Sequence, residues 1–180
     1  PDDIAGHDAL ANAYLNTGDY TGALLEFRTV LELDTENINA RIGVADTYFA
    51  SGHLDNAISI YRQMLAFQPD NIRLWMKLGK AHLAEFSYQE ALAAFAQIVA
   101  IREDLYQGHY FMGVAYIELA LFEESLAALN RALELNPTHP FTHYRHGIAS
   151  MNLGHTQEAI EDFQQAAQLR PEEPWFIAAL

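Results

Sequence analysis

Residues 72–105 read IRLWMKLGKAHLAEFSYQEALAAFAQIVAIREDL, and the pattern in this segment returns along the chain every 34 residues. The positions that carry the pattern here are Trp75, Leu78, Gly79, His82, Ala91 and Phe95. The other copies have Ala11, Ala45, Gly113 and Gly147 at the position of Gly79, and Phe27, Tyr61, Leu129 and Phe163 at that of Phe95. A fixed period of this length is typical of proteins built from stacked helical repeats.

Five copies of this unit follow one another without insertion or deletion, and they occupy residues 4–37, 38–71, 72–105, 106–139 and 140–173. Each copy contains two apolar segments with the spacing of an amphipathic helix, separated by a turn. We therefore expect ten helices in five antiparallel pairs, no strand, and a single array over residues 1–180. The residues expected to cap three of the first helices are Asp70, Asp104 and Thr138.

The spacing of the third copy resembles that of the tetratricopeptide repeat (TPR) family, with Trp75-x2-Leu78-Gly79-x2-His82 followed by Ala91-x3-Phe95. The resemblance implies an all-α fold, a right-handed superhelical α-solenoid, in which the first helix of each pair lines a concave groove. It also implies a protein–protein interaction scaffold that binds a partner peptide or segment in that groove. The chain departs from the family pattern at His82, Ser125 and Ser150.

The composition excludes several classes of function. Of the 180 residues, 51% are hydrophobic and 19% are charged, which is typical of a folded chain. The net charge of −14 argues against a nucleic-acid partner, and no apolar run is long enough for a membrane span. The chain has no Cys and no P-loop, dinucleotide-binding or serine-hydrolase motif. We therefore expect no enzymatic activity and no cofactor.

Basic side chains cluster on the groove side, although the chain as a whole is acidic. Arg73, Lys77 and Lys80 are spaced to lie along one helix face, where three cations favour a carboxylate or phosphate. We expect a partner with an acidic or C-terminal carboxylate group there, with Asn12 as a further contact. A solubilising stripe offset by acids of neighbouring helices is the alternative.

Some TPR proteins hold the C-terminal carboxylates of a partner with a clamp of five side chains. The matching positions in this chain are Asp8, Asn12, Gly43, Arg73 and Lys77. The acidic side chain at the first of these positions would repel a carboxylate, and the glycine removes a hydrogen-bond donor. The sequence therefore argues against a true clamp of this kind.

The fourth and fifth copies are expected to make their part of the groove apolar and aromatic. Monomers rarely expose a large apolar patch without using it, and Tyr and Phe are frequent anchors at interfaces. The alternative is that some of these side chains pack against the next helix, which we expect first for Phe111. The partner-binding residues predicted here are Tyr110, Phe111, Val114, Phe141, Tyr144, Arg145 and Ile148.

Three histidines, His139, His143 and His146, are spaced so that they could share a helix face, and this spacing can hold zinc. However, His146 falls at a core position of the repeat, and His139 precedes the helix beside Pro140. We therefore predict no metal site, with His146 packed and the other two histidines exposed.

The two ends of the sequence leave alternatives open. Residues 174–180 are expected to be the start of a capping helix or of a truncated sixth repeat. Their large side chains, Trp175, Phe176 and Leu180, are expected to be buried on the fifth repeat or in a neighbouring molecule. Pro1 in place of an initiating Met suggests an excerpt of a longer protein, so a substrate-presenting or regulatory arm of an enzyme is a second hypothesis. A self-assembly module is a third. The compartment is open: the cytoplasm is the default, and a periplasmic or other envelope location is the alternative.

Overall fold

The computed structural model describes residues 3–173, and in that range the chain forms ten α-helices and no strand. Each of the five predicted repeats holds two helices, so the all-α prediction is confirmed. The predicted short helix at residues 174–180, and the predicted burial of Trp175, Phe176 and Leu180, lie outside the described residues. The helices are α1 (Ile4–Thr17), α2 (Tyr20–Leu33), α3 (Ile38–Ala50), α4 (Leu54–Phe67), α5 (Ile72–Ala84), α6 (Tyr88–Ile101), α7 (Tyr106–Glu118), α8 (Phe122–Leu135), α9 (Pro140–Asn152) and α10 (Thr156–Leu169).

The chain divides into two compact units, Pro1–Glu85 with α1–α5 and Phe86–Leu180 with α6–α10. Within each unit, every helix packs on the next one along the chain. First helices of successive repeats also touch within a unit, as α1 does with α3 and α7 with α9. Each unit is therefore a stack of helix pairs with nearest-neighbour packing, as expected for repeat proteins.

The core of each unit is built from a small residue on one helix and a large one on the facing helix. An added Cβ at Gly113 would lie 2.5 Å from Cγ of Leu129, and one at Gly147 would lie 2.7 Å from Cε1 of Phe163. Only a hydrogen atom fits at these positions, so the helices approach closely and the large side chain is buried between them. The predicted pairing of small and large positions is thereby confirmed in these repeats.

The turn inside each repeat requires one residue in the left-handed region of backbone conformation. Three repeats place glycine there, each with φ of 81°, at Gly18, Gly52 and Gly154. The other two use Phe86, with φ of 63°, and Ala120, with φ of 56°. A residue with a Cβ is strained in this conformation, and Phe86 is also 75% exposed.

The predicted helix caps were wrong by one residue. Asn71, not Asp70, caps α5, and its side chain accepts a hydrogen bond of 3.2 Å from the backbone N–H of Leu74. The residue preceding α7 is Leu105, which forms no capping bond. Helix α9 begins directly at Pro140, whose missing N–H costs nothing in the first turn.

Candidate functional site: a polar groove in the first unit

A groove of about 580 Å³ lies in the first unit, lined mainly by α1, α3 and α5. These are the first helices of three successive repeats, which the sequence predicted to face a groove. Of the predicted residues, Asn12, Arg73 and Lys77 line it, whereas Lys80 does not. The polar lining residues are Asp8, Asn12, Asn39, Asp46, Gln68, Asn71, Arg73 and Lys77, and the others are Phe27, Ile38, Ile42, Gly43 and Leu74.

A hydrogen-bonded group at one wall of the groove balances the charge of Lys77. The Lys77 ammonium donates to both carboxylate oxygens of Asp46, at 2.8 and 2.7 Å. The buried Tyr61 hydroxyl donates to the same carboxylate at 2.6 Å. Burial, and then the bond to Asp46, raise the pKa of Tyr61 well above its usual range, so the hydroxyl stays a donor.

Sequence reasoning missed this group, although the register of the repeats contains a signal for it. Lys77 lies 31 positions after Asp46, which is three positions short of the 34-residue repeat. This offset places the two residues on facing sides of successive first helices. An acid and a base at that offset are neighbours across a helix interface, just as residues three or four apart are neighbours on one helix. A search of the first helices for an acid and a base 31 positions apart therefore finds Asp46 and Lys77.

Two other charged side chains of the groove have no partner of opposite charge among residues 3–173. Asp8 accepts only a long bond from the Asn12 amide, at 3.4 Å, while that amide donates at 2.7 Å to the Asp8 backbone carbonyl. Arg73 is exposed and forms no hydrogen bond or ion pair within that range. The groove thus carries one unbalanced negative charge on α1 and one unbalanced positive charge on α5.

The five clamp positions inferred from the TPR resemblance come together in this groove. Asp8, Asn12, Gly43, Arg73 and Lys77 all line it. Their charges differ from those of a clamp for carboxylates, because the first position is acidic and the last is already paired with Asp46. Of the two cations at these positions, Arg73 is therefore the one that an incoming anionic group can pair with.

The aromatic residues predicted for binding in the second unit each pack against another ring of that unit. Phe111 stacks on Phe95 of the preceding helix α6, with ring centroids 5.1 Å apart, so it packs within the unit but not on the following helix that the alternative named. Tyr110 meets Phe111 edge-on, with ring centroids 4.9 Å apart. Burial raises the pKa of the Tyr110 hydroxyl, and this effect outweighs the opposite effect of nearby Arg145. Tyr144 lies 5.6 Å from the ring of Phe163.

The remaining predicted residues of this surface are also partly or largely covered. Phe141 lies beside His139, with centroids 5.7 Å apart, and under the guanidinium of Arg170 at 5.6 Å. Val114 is 8% exposed, and Ile148 is partly buried. These side chains therefore present edges of an aromatic cluster rather than an open apolar wall.

A second polar cluster lies in the second unit, where Asp162 of α10 bridges two histidines of α9. Its carboxylate oxygens lie 3.2 Å from Nδ1 of His143 and 2.5 Å from Nδ1 of His146. The other ring nitrogens face acceptors too: Nε2 of His143 lies 2.9 Å from the Pro137 carbonyl, and that of His146 lies 3.0 Å from the Asn130 amide oxygen. We call Asp162, His143 and His146 the histidine clasp.

The clasp corrects the prediction that two of the three histidines are exposed. The side chains of His143 and His146 are 15% and 12% exposed, and His139 is also partly buried, where its Nδ1 lies 2.7 Å from the Thr142 hydroxyl. The reason is that α10 supplies the Asp162 carboxylate to the face of α9 that His143 and His146 share, whereas the His139 ring packs against Tyr106 and Tyr110. In the part of the chain from residue 3 to residue 173, no group of histidines and acids has the geometry of a metal site.

Hydrogen bonding within the clasp sets the charge of its members. Burial alone would lower the pKa of His143, but its bonds to Asp162 and to the Pro137 carbonyl outweigh this effect and raise the pKa. Burial alone would raise the pKa of Asp162, but the bonds from His143 and His146 outweigh it and lower the pKa. The clasp therefore favours an ionised carboxylate beside a protonated imidazole.

Comparison with known protein families gives matches over most of the chain. Models described as tetratricopeptide repeat match residues 14–81, 106–139 and 142–173. No curated protein sequence gives a significant match. Among the described residues, none of the helices has the length and apolar character required to cross a bilayer.

Solved structures with a similar fold cover nearly the whole chain. A crystal structure of MamA protein is 19% identical, with a TM-score of 0.78, and the match covers 95% of this chain and 93% of that one. MamA 41-end from Desulfovibrio magneticus RS-1 is 18% identical, with a TM-score of 0.83 and coverage of 96% and 98%. A thermophilic TPR protein of Thermus thermophilus is 19% identical, with a TM-score of 0.76 and coverage of 98% of both chains. At these identities the likeness concerns the fold.

Proposed function

We propose, since the chain belongs to the tetratricopeptide repeat family, that it is a protein-interaction scaffold whose first unit binds an extended segment of a partner protein in the polar groove. The observation that carries this proposal is the convergence of α1, α3 and α5 on one groove of about 580 Å³. No bond is made or broken in this function. Binding depends on the shape of the groove and on a few anchoring contacts.

The lining of the groove suits a peptide main chain. Four carboxamide side chains, those of Asn12, Asn39, Gln68 and Asn71, line it. The Asn12 amide already donates to the Asp8 backbone carbonyl, the Asn71 amide donates to the Gln68 side-chain oxygen, and the Asn71 oxygen caps α5. A carboxamide has both donors and an acceptor, which match the N–H and C=O groups that an extended segment leaves unpaired. Asn39 is exposed and has no hydrogen bond from its side chain within the described range, so its donors and acceptor are available.

Apolar lining residues add contacts for side chains of the segment. Ile42 is partly buried and Ile38 is 41% exposed, so both present apolar surface to the groove. Burial of such surface stabilises a complex by about 25 cal/mol per Å² before the costs of association. In the second unit, Tyr110, Phe141, Tyr144, Arg145 and Ile148 remain proposed secondary contacts.

Selection from a display library of random decapeptides tests the proposal. We expect the wild-type chain to enrich a family of peptides. The variant Asn39→Trp, which fills the groove, should lose that enrichment. The matched control Gln63→Trp, on an exposed position of α4 outside the groove, should keep it. Enrichment that survives Asn39→Trp would contradict the proposal, as would the absence of any enriched peptide.

A further inference from the structure

We infer that the segment bound in this groove carries a basic side chain that meets Asp8 and an acidic side chain that meets Arg73. The inference rests on the proposed function and specifies the chemistry of the partner. It follows from three features of the groove: the unbalanced acid on α1, the unbalanced base on α5, and the neutralised pair between them.

Asp8 is the anion that a partner must satisfy. Its carboxylate is partly buried in the groove, and the Asn12 amide at 3.4 Å is its single hydrogen-bond donor among residues 3–173. A carboxylate that has no cationic partner attracts an incoming ammonium or guanidinium group, which forms a charge-assisted hydrogen bond with it. The overall charge of −14 also draws a basic group toward the chain.

Asp46 and Lys77 do not compete for these partner groups. The two side chains lie 2.7 Å apart at their closest atoms, and Tyr61 adds a further bond to the same carboxylate. Their charges cancel within the wall of the groove, between α3 and α5. The partner therefore meets a negative end, a neutral middle and a positive end.

Arg73 is the cation that an acidic partner group meets. It lines the groove, is exposed, and has no acid bound within the described part of the chain. Its guanidinium presents paired N–H donors that match the two oxygens of a carboxylate. A single arginine of this kind fits one Asp or Glu side chain of the partner, or its terminal carboxylate.

The distance between the two ends sets the spacing of the charges in the partner. Packed helices lie about 8–10 Å apart, so two steps from α1 through α3 to α5 span about 16–20 Å. An extended chain rises about 3.3 Å per residue, so the basic and acidic residues of the partner should be about five or six positions apart. The chain's own residues 174–180 have no charged side chain and do not fit this pattern.

The decapeptides enriched on the wild-type chain test the inference directly. We expect Lys or Arg to be enriched at one position and Asp or Glu five or six positions away. Selection on Asp8→Lys should lose the basic preference. Selection on Glu32→Lys, which makes the same charge change at an exposed position of α2 outside the groove, should retain it.

Affinity measurements give a second readout. For a peptide selected on the wild-type chain, the isosteric variant Asp8→Asn should weaken binding about 3- to 10-fold, with the larger effect at low salt. Enriched peptides without the charge pair, or with a charge pair that is insensitive to Asp8→Lys, would overturn the inference. If the Asn39→Trp variant failed to enrich those peptides, the proposed function would hold and only the inference about charge would be wrong. The absence of any enriched peptide would overturn both.

Discussion

Removing the carboxylate of the histidine clasp should destabilise the second unit in a pH-dependent manner. The substitution Asp162→Ala takes away two hydrogen bonds, to His143 at 3.2 Å and to His146 at 2.5 Å. All three side chains are at most 15% exposed, so water replaces these bonds poorly. The other groups that face the clasp are Glu158, Glu161, Gln165, Asn130, the Pro137 carbonyl and the ring of His139.

The magnitude follows from the charge of the bonds that are lost. A hydrogen bond to a charged group contributes about 1.5–3 kcal/mol, so the two bonds to the Asp162 carboxylate contribute about 3–6 kcal/mol. For a chain of this size, 1 kcal/mol corresponds to about 2–4 °C in melting temperature. We therefore expect Asp162→Ala to melt about 6–24 °C below wild type at pH 6.

The pH dependence follows from the directions of the two pKa shifts. The pKa of His143 is raised above its ordinary value of 6.5, so its stabilisation is complete below that value and is lost as the pH rises through the raised pKa. The pKa of Asp162 is lowered from its ordinary value of 3.8, so its stabilisation is present above that value and is lost as the pH falls through the lowered pKa. Both contributions are complete between these two ordinary values.

Thermal melting of wild type, Asp162→Ala and the control Gln164→Ala at pH 6 and pH 8.5 measures this effect. The penalty of Asp162→Ala should shrink by about half at pH 8.5, because a neutral His143 imidazole forms a weaker bond to the carboxylate. Gln164→Ala shortens an exposed side chain of the same helix outside the clasp and should change stability by less than about 0.5 kcal/mol at either pH. Equal penalties for Asp162→Ala at the two pH values would refute the reasoning.

Three further predictions concern the turn, the core and the groove. Phe86→Gly should raise stability by about 0.5–1 kcal/mol in urea unfolding, because relief of the left-handed strain exceeds the entropy that glycine adds to the unfolded chain; a loss of stability would count against the strain. Gly147→Ala should lower stability by about 1–3 kcal/mol, since its Cβ would lie 2.7 Å from the Phe163 ring; a neutral result would show that the ring moves freely. Arg73→Ala should weaken peptide binding more than Lys77→Ala in calorimetry, and the difference should be larger at low salt, because Lys77 is already paired with Asp46 and Arg73 is not. A larger effect of Lys77→Ala would contradict the assignment of Arg73 as the cation that meets the partner.

The helices were predictable because the information that specifies them is local and repeated. The residues that contact one another, such as Gly147 and Phe163, lie 16 positions apart in a helix pair, and the same offset recurs in Gly113 and Leu129. A prediction from one repeat therefore transfers to the next. The caps were less predictable, because a shift of one residue at Asn71 changes the capping side chain without changing the periodicity.

The groove residues of the first unit were predictable in position but not in charge state. The repeat register placed Asn12, Arg73 and Lys77 on the lining, where the structure has them. The pairing of Lys77 with Asp46 depends on the rotamers of two side chains from different repeats, and the periodicity within one repeat does not contain it. The acid that joins His143 and His146 was missed because it lies on the second helix of the same repeat, and the spacing of residues along one helix does not show which side chain faces it from the other.

The aromatic residues of the second unit show the limit of position-based reasoning. Tyr110 and Phe111 occupy positions that the TPR resemblance assigns to the groove, yet Phe111 stacks on Phe95 of α6. Large side chains at such positions bury apolar area wherever a neighbouring ring lies within reach, because this is favourable without a partner. Sequence position alone does not distinguish an anchor for a partner from a contact within the unit.

The central claim is that the groove formed by α1, α3 and α5 is where a partner segment binds. The most direct measurement uses a decapeptide selected on the wild-type chain and synthesised with a photoreactive diazirine, followed by mass spectrometry of the crosslinked residues. We predict that the crosslinks fall on groove residues of α1, α3 and α5, such as Asn12, Ile42 and Arg73, and that Asn39→Trp removes them. Crosslinks concentrated on α2 and α4, or in the second unit, would contradict the claim.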